Sequence, residues 1–324
     1  MSQINLPTHY YAMAVTQFGG PEVLQPTRLA MPVIGTGQVL IKLLATSINP
    51  IDYKTRAGLG WAAQQNKNNL PFVLGYDCFG AVVATADNVS TLDIGNKVIA
   101  LASFPLGAGA YGEYVLLNSD EVVKVTDSFT NAAAALPVAG LSAHQGLFEF
   151  GALSRGETVV ISGAGGGVGY IAVQLALNAG ARVIAIAHAK DHQRLADLGN
   201  VECIDYTQPA LFDSLSDIDL WFDLIGGESA CQQLAQVNGV KRLVTLPTIT
   251  ADLVCNAVKS SSTSAQGMLI SANVEILRKL TLMVENGQLK LNIAKYMNYQ
   301  QAASAHQQLE TGELKGKVIL EFNQ

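Results

Sequence analysis

The chain has 324 residues, of which 49% are hydrophobic and 14% are charged, and its formal net charge is −6. This composition excludes a wholly disordered chain, and the length is typical of two domains. We find no Lys/Arg run suited to nucleic acid and no apolar run near the ~20 residues of a membrane span, so we expect neither partner. The first residues show no signal-peptide pattern, which predicts a cytoplasmic protein.

The cysteines are few, and no two of them have C-x-x-C spacing. They are Cys78, Cys203, Cys231 and Cys255. In a chain of this length, such spacing argues against a disulfide framework and against a four-cysteine zinc site. We therefore expect buried free thiols in a reducing compartment.

The N-terminal third of the chain alternates short apolar segments with turn residues. Strands are predicted at Gly37–Leu44, Gly80–Ala84 and Lys97–Leu101. Many short strands separated by Gly and Pro indicate a barrel or sandwich module. Helical spacing begins at Ala132–Leu136 and resumes at Leu141–Phe150, with Pro137 and Gly140 predicted to mark a break.

Strand-like and helix-like segments then alternate, which predicts a parallel sheet covered by helices. The predicted strands are Thr158–Ser162, Arg182–Ala187, Glu202–Ile204, Leu220–Leu224 and Arg242–Leu246. Helices are predicted at Val168–Ala179 and Asp191–Leu198 in this region, and then at Ala272–Asn286 and Tyr299–Leu309. Lys317–Phe322 is predicted to be a final strand.

Five glycines occur between Gly163 and Gly169, directly after the strand Thr158–Ser162. A strand, a glycine-rich turn, a helix and a second strand form the unit that binds a dinucleotide. The first small residue permits the tight turn, Gly166 lets the backbone approach a pyrophosphate, and Gly169 lets the helix pack closely. Amides at the helix N-terminus would face the phosphates.

The second strand of this unit does not end in the acidic residue that is usual in NAD sites. It is followed by His188, Lys190 and Arg194, which offer positive charge or donors to a 2′-phosphate, although Asp191 lies among them. We therefore expect NADPH rather than NADH, and the individual phosphate ligands stay open.

Several motifs together resemble the zinc-free quinone oxidoreductase branch, the ζ-crystallin-like enzymes, of the medium-chain dehydrogenase/reductase superfamily. Besides the glycine turn they are Asn49–Gly58 (NPIDYKTRAG), Leu74–Gly80, Gly112–Tyr114, Ala135–Ala143, Phe222–Gly227 and Gly316–Leu320. The resemblance implies an α/β fold with a GroES-like β-barrel-type catalytic domain (1–127 and 272–324). It also implies a doubly wound parallel-sheet Rossmann domain (128–271) that binds NADPH.

The resemblance also bears on zinc. Zinc-dependent relatives have a cysteine where this chain has Asn49 to Asp52, and a His-Glu pair where it has Tyr76 and Asp77. Catalytic zinc needs about three converging protein ligands, so we expect no zinc. Without a Lewis acid, the reaction that needs least help is hydride transfer to a quinone or an α,β-unsaturated carbonyl.

The resemblance assigns catalytic roles to Asn49, Asp52 and Tyr53. Asn49 would fix the cofactor's ribose or carboxamide, and Tyr53 would bind the developing oxyanion or donate a proton. Two alternatives stay open: Tyr53 as an aromatic wall and Asp52 as a turn cap after Pro50. The loop Ser103–Tyr111 is expected either to line an apolar substrate pocket or to pack at the rim of the module.

The expected cofactor-binding residues follow the strand ends of the predicted sheet, with Tyr206 and Ser142 added from the resemblance. They are Gly163, Ala164, Gly165, Gly166, Gly167, Val168, Gly169, His188, Lys190, Arg194, Tyr206, Ile225, Gly226, Leu246, Thr248 and Ser142.

Two other functions were compatible with parts of the pattern. One is a non-catalytic NADPH-binding sensor, and the other is a zinc-type alcohol dehydrogenase, which the missing ligands disfavour. Relatives often pair through an edge strand of the cofactor domain. We therefore expect a homodimer, with Arg242–Leu246 and Gly267–Ser271 at that edge.

Overall fold

The computed structural model describes residues 6–104, 106, 109–208, 212, 215–259, 262–314 and 316–322. Pro105, Gly107 and Ala108, which belong to the predicted pocket loop, lie outside these ranges. The chain divides into two compact units. The first is Met1–Val138 with Ser271–Gln324, and the second is Ala139–Ile270.

The first unit is built mainly from short strands, as its turn-rich sequence predicts. In chain order its N-terminal part contains β1 (His9–Val15), β2 (Leu24–Ala30), β3 (Gln38–Ser47), α1 (Pro50–Arg56), α2 (Gly60–Asn66), β4 (Phe72–Val73), β5 (Asp77–Thr85), β6 (Lys97–Leu101), β7 (Tyr114–Asn118) and β8 (Val122–Lys124). A small antiparallel sheet has the order β2-β1-β4.

The second unit alternates strands and helices. It follows α3 (Pro137–His144), within which the division between the units falls, and a π-helical segment at Gln145–Phe150. Its elements are β9 (Thr158–Ser162), α4 (Gly167–Asn178), β10 (Arg182–Ala187), α5 (His192–Ala196), β11 (Val201–Asp205), β12 (Ile218–Asp223), α6 (Gly227–Leu234), β13 (Val240–Thr245), α7 (Ala251–Ala257) and β14 (Ser264–Gly267).

The sheet of the second unit has the order β11-β10-β9-β12-β13-β14, and neighbouring strands are parallel. This is the doubly wound order in which the direction of strand addition reverses once, here between β9 and β12. Ligands of such sheets bind at the carboxyl ends of the strands beside that reversal. The fold therefore puts the glycine turn after β9 at the expected binding edge.

The chain then returns to the first unit through α8 (Val274–Glu285), β15 (Ile293–Asn298), α9 (Ala302–Glu310) and β16 (Lys317–Glu321). The larger sheet of that unit has the order β15-β16-β3-β5-β6-β8, and β7 also pairs with β3. β3 lies at its centre, with Val39, Ile41 and Leu43 buried in the core. The last strand of the chain is thus hydrogen-bonded to one of the first.

Some sequence-based expectations were wrong in detail. The break predicted at Pro137 is confirmed, because a 3-10 helix at Asn131–Ala135 ends before it and α3 begins at Pro137, but Gly140 lies inside α3 and does not break it. The edge strand beside β13 is Ser264–Gly267 rather than Gly267–Ser271, and the homodimer stays a prediction. The four thiols are free, but only Cys78 is buried.

None of the helices in the described ranges combines the length and the apolar character needed to cross a bilayer.

Two glycines of the turn differ in the space around them. A Cβ on Gly169 would collide with the Gly163 carbonyl oxygen and lie 2.6 Å from Ala164 Cα, whereas one on Gly166 would meet only the Gly163 oxygen, at 3.4 Å. Gly169→Ala should therefore lower the free energy of unfolding by about 1–3 kcal/mol, against the usual helical preference for alanine.

Gly166→Ala is the matched control for that measurement by urea denaturation. Gly166 has φ −80°, which alanine adopts without strain, so its free energy of unfolding should change by less than about 1 kcal/mol. Equal losses in the two variants would contradict the steric explanation.

Candidate functional site

The glycine turn of the second unit is tied to its neighbouring strand. The amides of Gly163 and Ala164 both donate to the Ile186 carbonyl of β10 at 3.1 Å, and Gly163 has φ +80°. Gly166 is the N-cap of α4. The first amides of a helix have no partner within it, so this N-terminus can bind an anion.

The residues after β10 form an ion pair over the turn. Arg194 Nη2 donates to Asp191 Oδ1 at 2.8 Å and to the Gly165 carbonyl at 3.1 Å, and the guanidinium lies 4.9 Å from the centre of the Tyr170 ring. Arg194 Nη1 is buried and has no hydrogen-bond partner among the described residues. This N–H group is a donor at the edge of the turn.

The other predicted phosphate ligands lie around the same strand end. His188 and Tyr206 contact each other edge to face, with ring centres 6.0 Å apart, and Tyr206 is 42% exposed. Lys190 is exposed, and its backbone amide donates to His188 Nδ1 at 3.2 Å. The structure thus brings His188 and Tyr206 together and leaves the Lys190 side chain on the surface.

The loops after β12 and β13 are organised by a carboxylate that the sequence-based site omitted. The buried Asp223 accepts hydrogen bonds from the amides of Ile225 (3.0 Å) and Gly226 (3.1 Å) and from the Thr245 hydroxyl (2.7 Å). Gly226 has φ +69°, which favours glycine. Asp223 therefore shapes the loop that carries two of the expected cofactor-binding residues.

Of the remaining predicted residues, Ile225 lies beside the glycine turn, because its Cδ1 is 2.8 Å from where a Cβ on Gly163 would be. Leu246 donates its amide to the Asp223 carbonyl at 2.9 Å, and Thr248 is exposed in the turn that follows. Ser142 is buried within α3.

A second set of predicted residues lies in the first unit, around a buried carboxylate. Asp77 Oδ2 accepts from the Ser47 hydroxyl, from Asn49 Nδ2 at 2.8 Å and from Lys317 Nζ at 3.0 Å. Asp77 Oδ1 accepts from the Val138 amide at 2.7 Å. We call Ser47, Asn49, Asp77 and Lys317 the Asp77 cluster.

Lys317 completes this cluster from the last strand. Its Nζ also donates to Asn49 Oδ1 at 2.6 Å and to the Ile48 carbonyl at 3.3 Å. The side chains of Lys317 and Asp77 are 7% and 0% exposed. The Asn49 side chain is therefore held at both ends: its amide nitrogen by Asp77, and its oxygen by Lys317.

Asp52 is buried below the start of α1. Its Oδ2 accepts from the Asn49 amide at 2.8 Å, and its Oδ1 accepts from the Gly75 amide at 3.1 Å. Burial raises the pKa of Asp52 to about 7; the charge of Asp77 raises it further, whereas the Asn49 and Gly75 hydrogen bonds and the charge of Lys317 lower it. These contacts favour the turn-cap alternative for Asp52.

A histidine cluster adjoins Asp52, formed by Arg56, Tyr111 and His306. Arg56 Nη1 lies 3.2 Å from His306 Nδ1, and His306 Nε2 lies 2.9 Å from the Tyr111 hydroxyl. Because arginine only donates, Nδ1 accepts and Nε2 carries the proton, which it donates to Tyr111. Burial raises the pKa of Tyr111, and the nearby Asp52 raises it further, which keeps this hydroxyl protonated.

The environment of these groups fixes their protonation. Burial lowers the pKa of His306 to about 3, and the charge of Arg56 lowers it further, so the imidazole is neutral near pH 7. Tyr53 contacts the His306 ring edge to face at 6.2 Å. Burial, with the charges of Glu310 and Asp52, raises the pKa of Tyr53 to about 12, which keeps its hydroxyl protonated.

Sequence reasoning missed several members of these clusters. Lys317 lies within the motif Gly316–Leu320, and a lysine that begins an apolar strand, KVILE, is a signal for a buried cation. Asp77 lies in the motif Leu74–Gly80 and at a position that binds zinc in zinc-dependent relatives, but neither observation predicts its role in this cluster. His306 and Arg56, 250 residues apart, gave no local pattern that would join them.

Known proteins share both the sequence and the fold. The family described as Alcohol dehydrogenase GroES-like domain matches residues 35–127, and the one described as Zinc-binding dehydrogenase matches residues 198–320. The solved quinone oxidoreductase from Coxiella burnetii is 36% identical, covers 97% of this chain and 100% of its own, and has a TM-score of 0.91. This chain belongs to the medium-chain dehydrogenase/reductase family.

Membership of this family of oxidoreductases confirms the resemblance and the two-part fold, a GroES-like module with a Rossmann-like parallel sheet. Two curated relatives span 98% of this chain at 29% identity. They are the 2-methylene-furan-3-one reductase of Solanum lycopersicum, covered over 81% of its length, and the chloroplastic NADPH-dependent alkenal/one oxidoreductase of Arabidopsis thaliana, covered over 80%.

Asp52 and His306 should make opposite contributions to the pH dependence of stability. Folding raises the Asp52 pKa from its usual 3.8, so its contribution is complete below pH ~4 and is lost as pH rises through about 7. Folding lowers the His306 pKa from 6.5, so its contribution is complete above pH ~6.5 and is lost as pH falls through about 3.

We expect Asp52→Asn and His306→Gln to separate the two contributions between pH ~5 and ~6.5. Relative to the unsubstituted protein, the free energy of unfolding of Asp52→Asn should rise with pH by about 1 kcal/mol per unit, and that of His306→Gln should fall by about as much. Urea denaturation measures both. Parallel profiles for the two variants would contradict this assignment.

Proposed function

We propose that the protein is a zinc-independent, NADPH-dependent reductase that transfers hydride to a quinone or an α,β-unsaturated carbonyl. The proposal rests on the glycine turn Gly163 to Gly169, which lies where the strand order of the sheet reverses. It is supported by the similarity of the chain to a quinone oxidoreductase and to an alkenal/one oxidoreductase. Bound NADPH would supply the hydride, and the protein's part is to bind it, orient it and exclude water.

The turn fits a dinucleotide. Extended backbone at Gly166 and the free space above it leave room for a pyrophosphate against the main chain, and the first amides of α4 would hold it. Ile225 and Gly226, fixed by Asp223, border the same turn. We also propose that the cofactor, beyond its pyrophosphate, contacts Leu246, Thr248 and the backbone around Ser142.

The region around Arg194 supports the choice of NADPH. The Arg194 side chain is 32% exposed and carries the charge proposed to face a 2′-phosphate, with His188 and Tyr206 at the same strand end. Asp191 is the acidic residue that would favour NADH, and its Oδ1 forms an ion pair with Arg194 Nη2 at 2.8 Å. The pairing offsets the repulsion that its carboxylate would exert on a phosphate.

The donor set at Asp77 supports a mechanism without zinc. Its carboxylate is engaged by four protein donors, one of which is the Lys317 ammonium, and a dication beside that ammonium would be repelled. In the described ranges, no group of three or more His, Cys, Asp or Glu side chains is placed to hold a metal. These residues do not fit the zinc ion that one matching family is named for.

At the reacting end, we propose that Tyr53 faces the acceptor. Its hydroxyl stays protonated and can donate a hydrogen bond to the oxygen on which negative charge develops. Asn49 is proposed to contact the cofactor, and the Asp77 cluster holds its side chain in place. Asp52 acts through Asn49, whose backbone amide it binds.

Turnover tests the proposal directly. Purified protein should oxidise NADPH with a quinone and with an enone, and much more slowly with a saturated ketone as control. Zinc should be substoichiometric by mass spectrometry, and a chelator should leave the rate unchanged. NADPH binding without turnover of any acceptor would instead indicate a sensor, and loss of the rate with the chelator would indicate a metal enzyme.

Arg194→Gln should reduce discrimination between the two cofactors. Loss of a charged hydrogen bond to the 2′-phosphate costs about 1.5–3 kcal/mol, so kcat/KM for NADPH should fall about 10- to 100-fold. The value for NADH should change by less than about threefold. Arg182→Gln, at the opposite end of β10, is the matched control and should preserve both. An unchanged NADPH/NADH ratio would remove Arg194 from the phosphate site.

A further inference from the structure

Lys317 makes more hydrogen bonds than it would need in order to neutralise the charge of Asp77. The three hydrogens of its ammonium have three acceptors, Asp77 Oδ2, Asn49 Oδ1 and the Ile48 carbonyl, at 3.0, 2.6 and 3.3 Å. The Lys317 side chain is buried, and burying an ammonium group costs free energy unless the group is paired and hydrogen-bonded. Its shortest contact is to the neutral amide of Asn49.

The Asp77 cluster joins four parts of the first unit. Ser47 ends β3, Asn49 is the N-cap of α1, Lys317 begins β16, and Val138, whose amide Asp77 accepts, is in the first turn of α3. A displacement of Lys317 would therefore release the Asn49 side chain directly. It would also leave Asp77 without its counter-charge while Asp77 still holds Val138.

We propose that Lys317 is a positioning residue for hydride transfer, which orients the Asn49 amide directly and the Val138 amide through Asp77. This inference rests on the proposed function, in which Asn49 and the backbone around Ser142, on the same helix as Val138, contact the cofactor. It assigns Lys317 no contact with cofactor or acceptor. Its effect should therefore appear in the hydride-transfer step and not in binding of the adenosine half.

A purely structural role for the ion pair makes a different prediction. Replacing both partners of a buried pair by neutral residues is often neutral for stability, whereas removing one partner is strongly destabilising. If Lys317 only neutralised Asp77, a doubly neutral variant would recover both stability and activity. If Lys317 positions Asn49, that variant would recover stability alone.

Three variants separate these roles. Lys317→Met should lower Tm by at least about 6 °C, and Asp77→Asn/Lys317→Met should regain most of that loss. Lys317→Arg keeps the charge but changes the geometry of its donors, so it stays informative even if the neutral variants do not fold. Asp219→Asn/Lys241→Met is the matched control, because that pair has the same charges at 2.7 Å and a 68% exposed lysine.

The measurements are Tm, kcat with a quinone and an enone, the isotope effect from NADPH deuterated at the transferred hydrogen, and Kd for 2′-phospho-ADP-ribose. Lys317→Arg and the double variant should lose kcat by about tenfold or more and show a larger isotope effect. Their Kd for 2′-phospho-ADP-ribose, which lacks the nicotinamide, should stay within about twofold, and the control should match the unsubstituted protein.

Several outcomes would overturn the inference. A kcat within about threefold of the unsubstituted protein in Lys317→Arg or in the folded double variant would reduce Lys317 to a fold-stabilising role. A weaker Kd for 2′-phospho-ADP-ribose in parallel with the loss of kcat would indicate general disruption. An unsubstituted protein that turns over neither acceptor would refute the proposed function itself, whereas active unsubstituted protein with active variants refutes only the role of Lys317.

Discussion

The contact between Asp77 and Lys317 is the constraint around which the first unit is organised. A carboxylate with 0% of its surface exposed is stable only if donors surround it, and here a hydroxyl, a side-chain amide, a backbone amide and an ammonium do so. Each donor comes from a different element. Strand β3, helices α1 and α3 and strand β16 must therefore meet at one point before the charge can be buried.

The two buried polar clusters of the first unit hold different groups in place. The Asp77 cluster fixes the side chain of Asn49, Asp52 accepts from its backbone amide, and beside Asp52 the His306 imidazole hydrogen-bonds the Tyr111 hydroxyl. Arginine cannot accept a hydrogen bond, so Arg56 sets the direction of donation along the whole chain of groups. The second unit has a simpler counterpart in Asp223, which orders two loop amides at the binding edge.

Local patterns made much of the fold predictable. The strand Thr158–Ser162 and the glycine run after it fix a tight turn and a close helix by sterics alone, so both the sheet and the binding edge follow from sequence. Strand β7 was missed, and its pairing partner β3 is distant in sequence. Pro137 marks the start of a new helix as predicted, whereas Gly140 was wrongly expected to interrupt it, because a helix tolerates a single glycine.

The candidate site was predictable only where its residues are close in sequence. Asn49, Asp52 and Tyr53 stand together on α1, and Arg194 follows the strand end that it serves. The roles of Lys317 and Arg56 could not be predicted from the sequence, because each contacts a partner about 240 residues or more away. Hydrophobic periodicity reports only on contacts between residues close in sequence. Whether a charged side chain is buried depends on the tertiary structure. It can be recognised only when the position of its partner is known.

The large sequence separation of Asp77 and Lys317 also has a consequence for biosynthesis. The second unit is continuous in sequence, so on the ribosome it can fold as soon as it leaves the exit tunnel. The first unit cannot, because the ammonium that neutralises Asp77 is made 240 residues after that carboxylate. The burial of Asp77 in its complete set of donors must therefore wait until Lys317 has been synthesised.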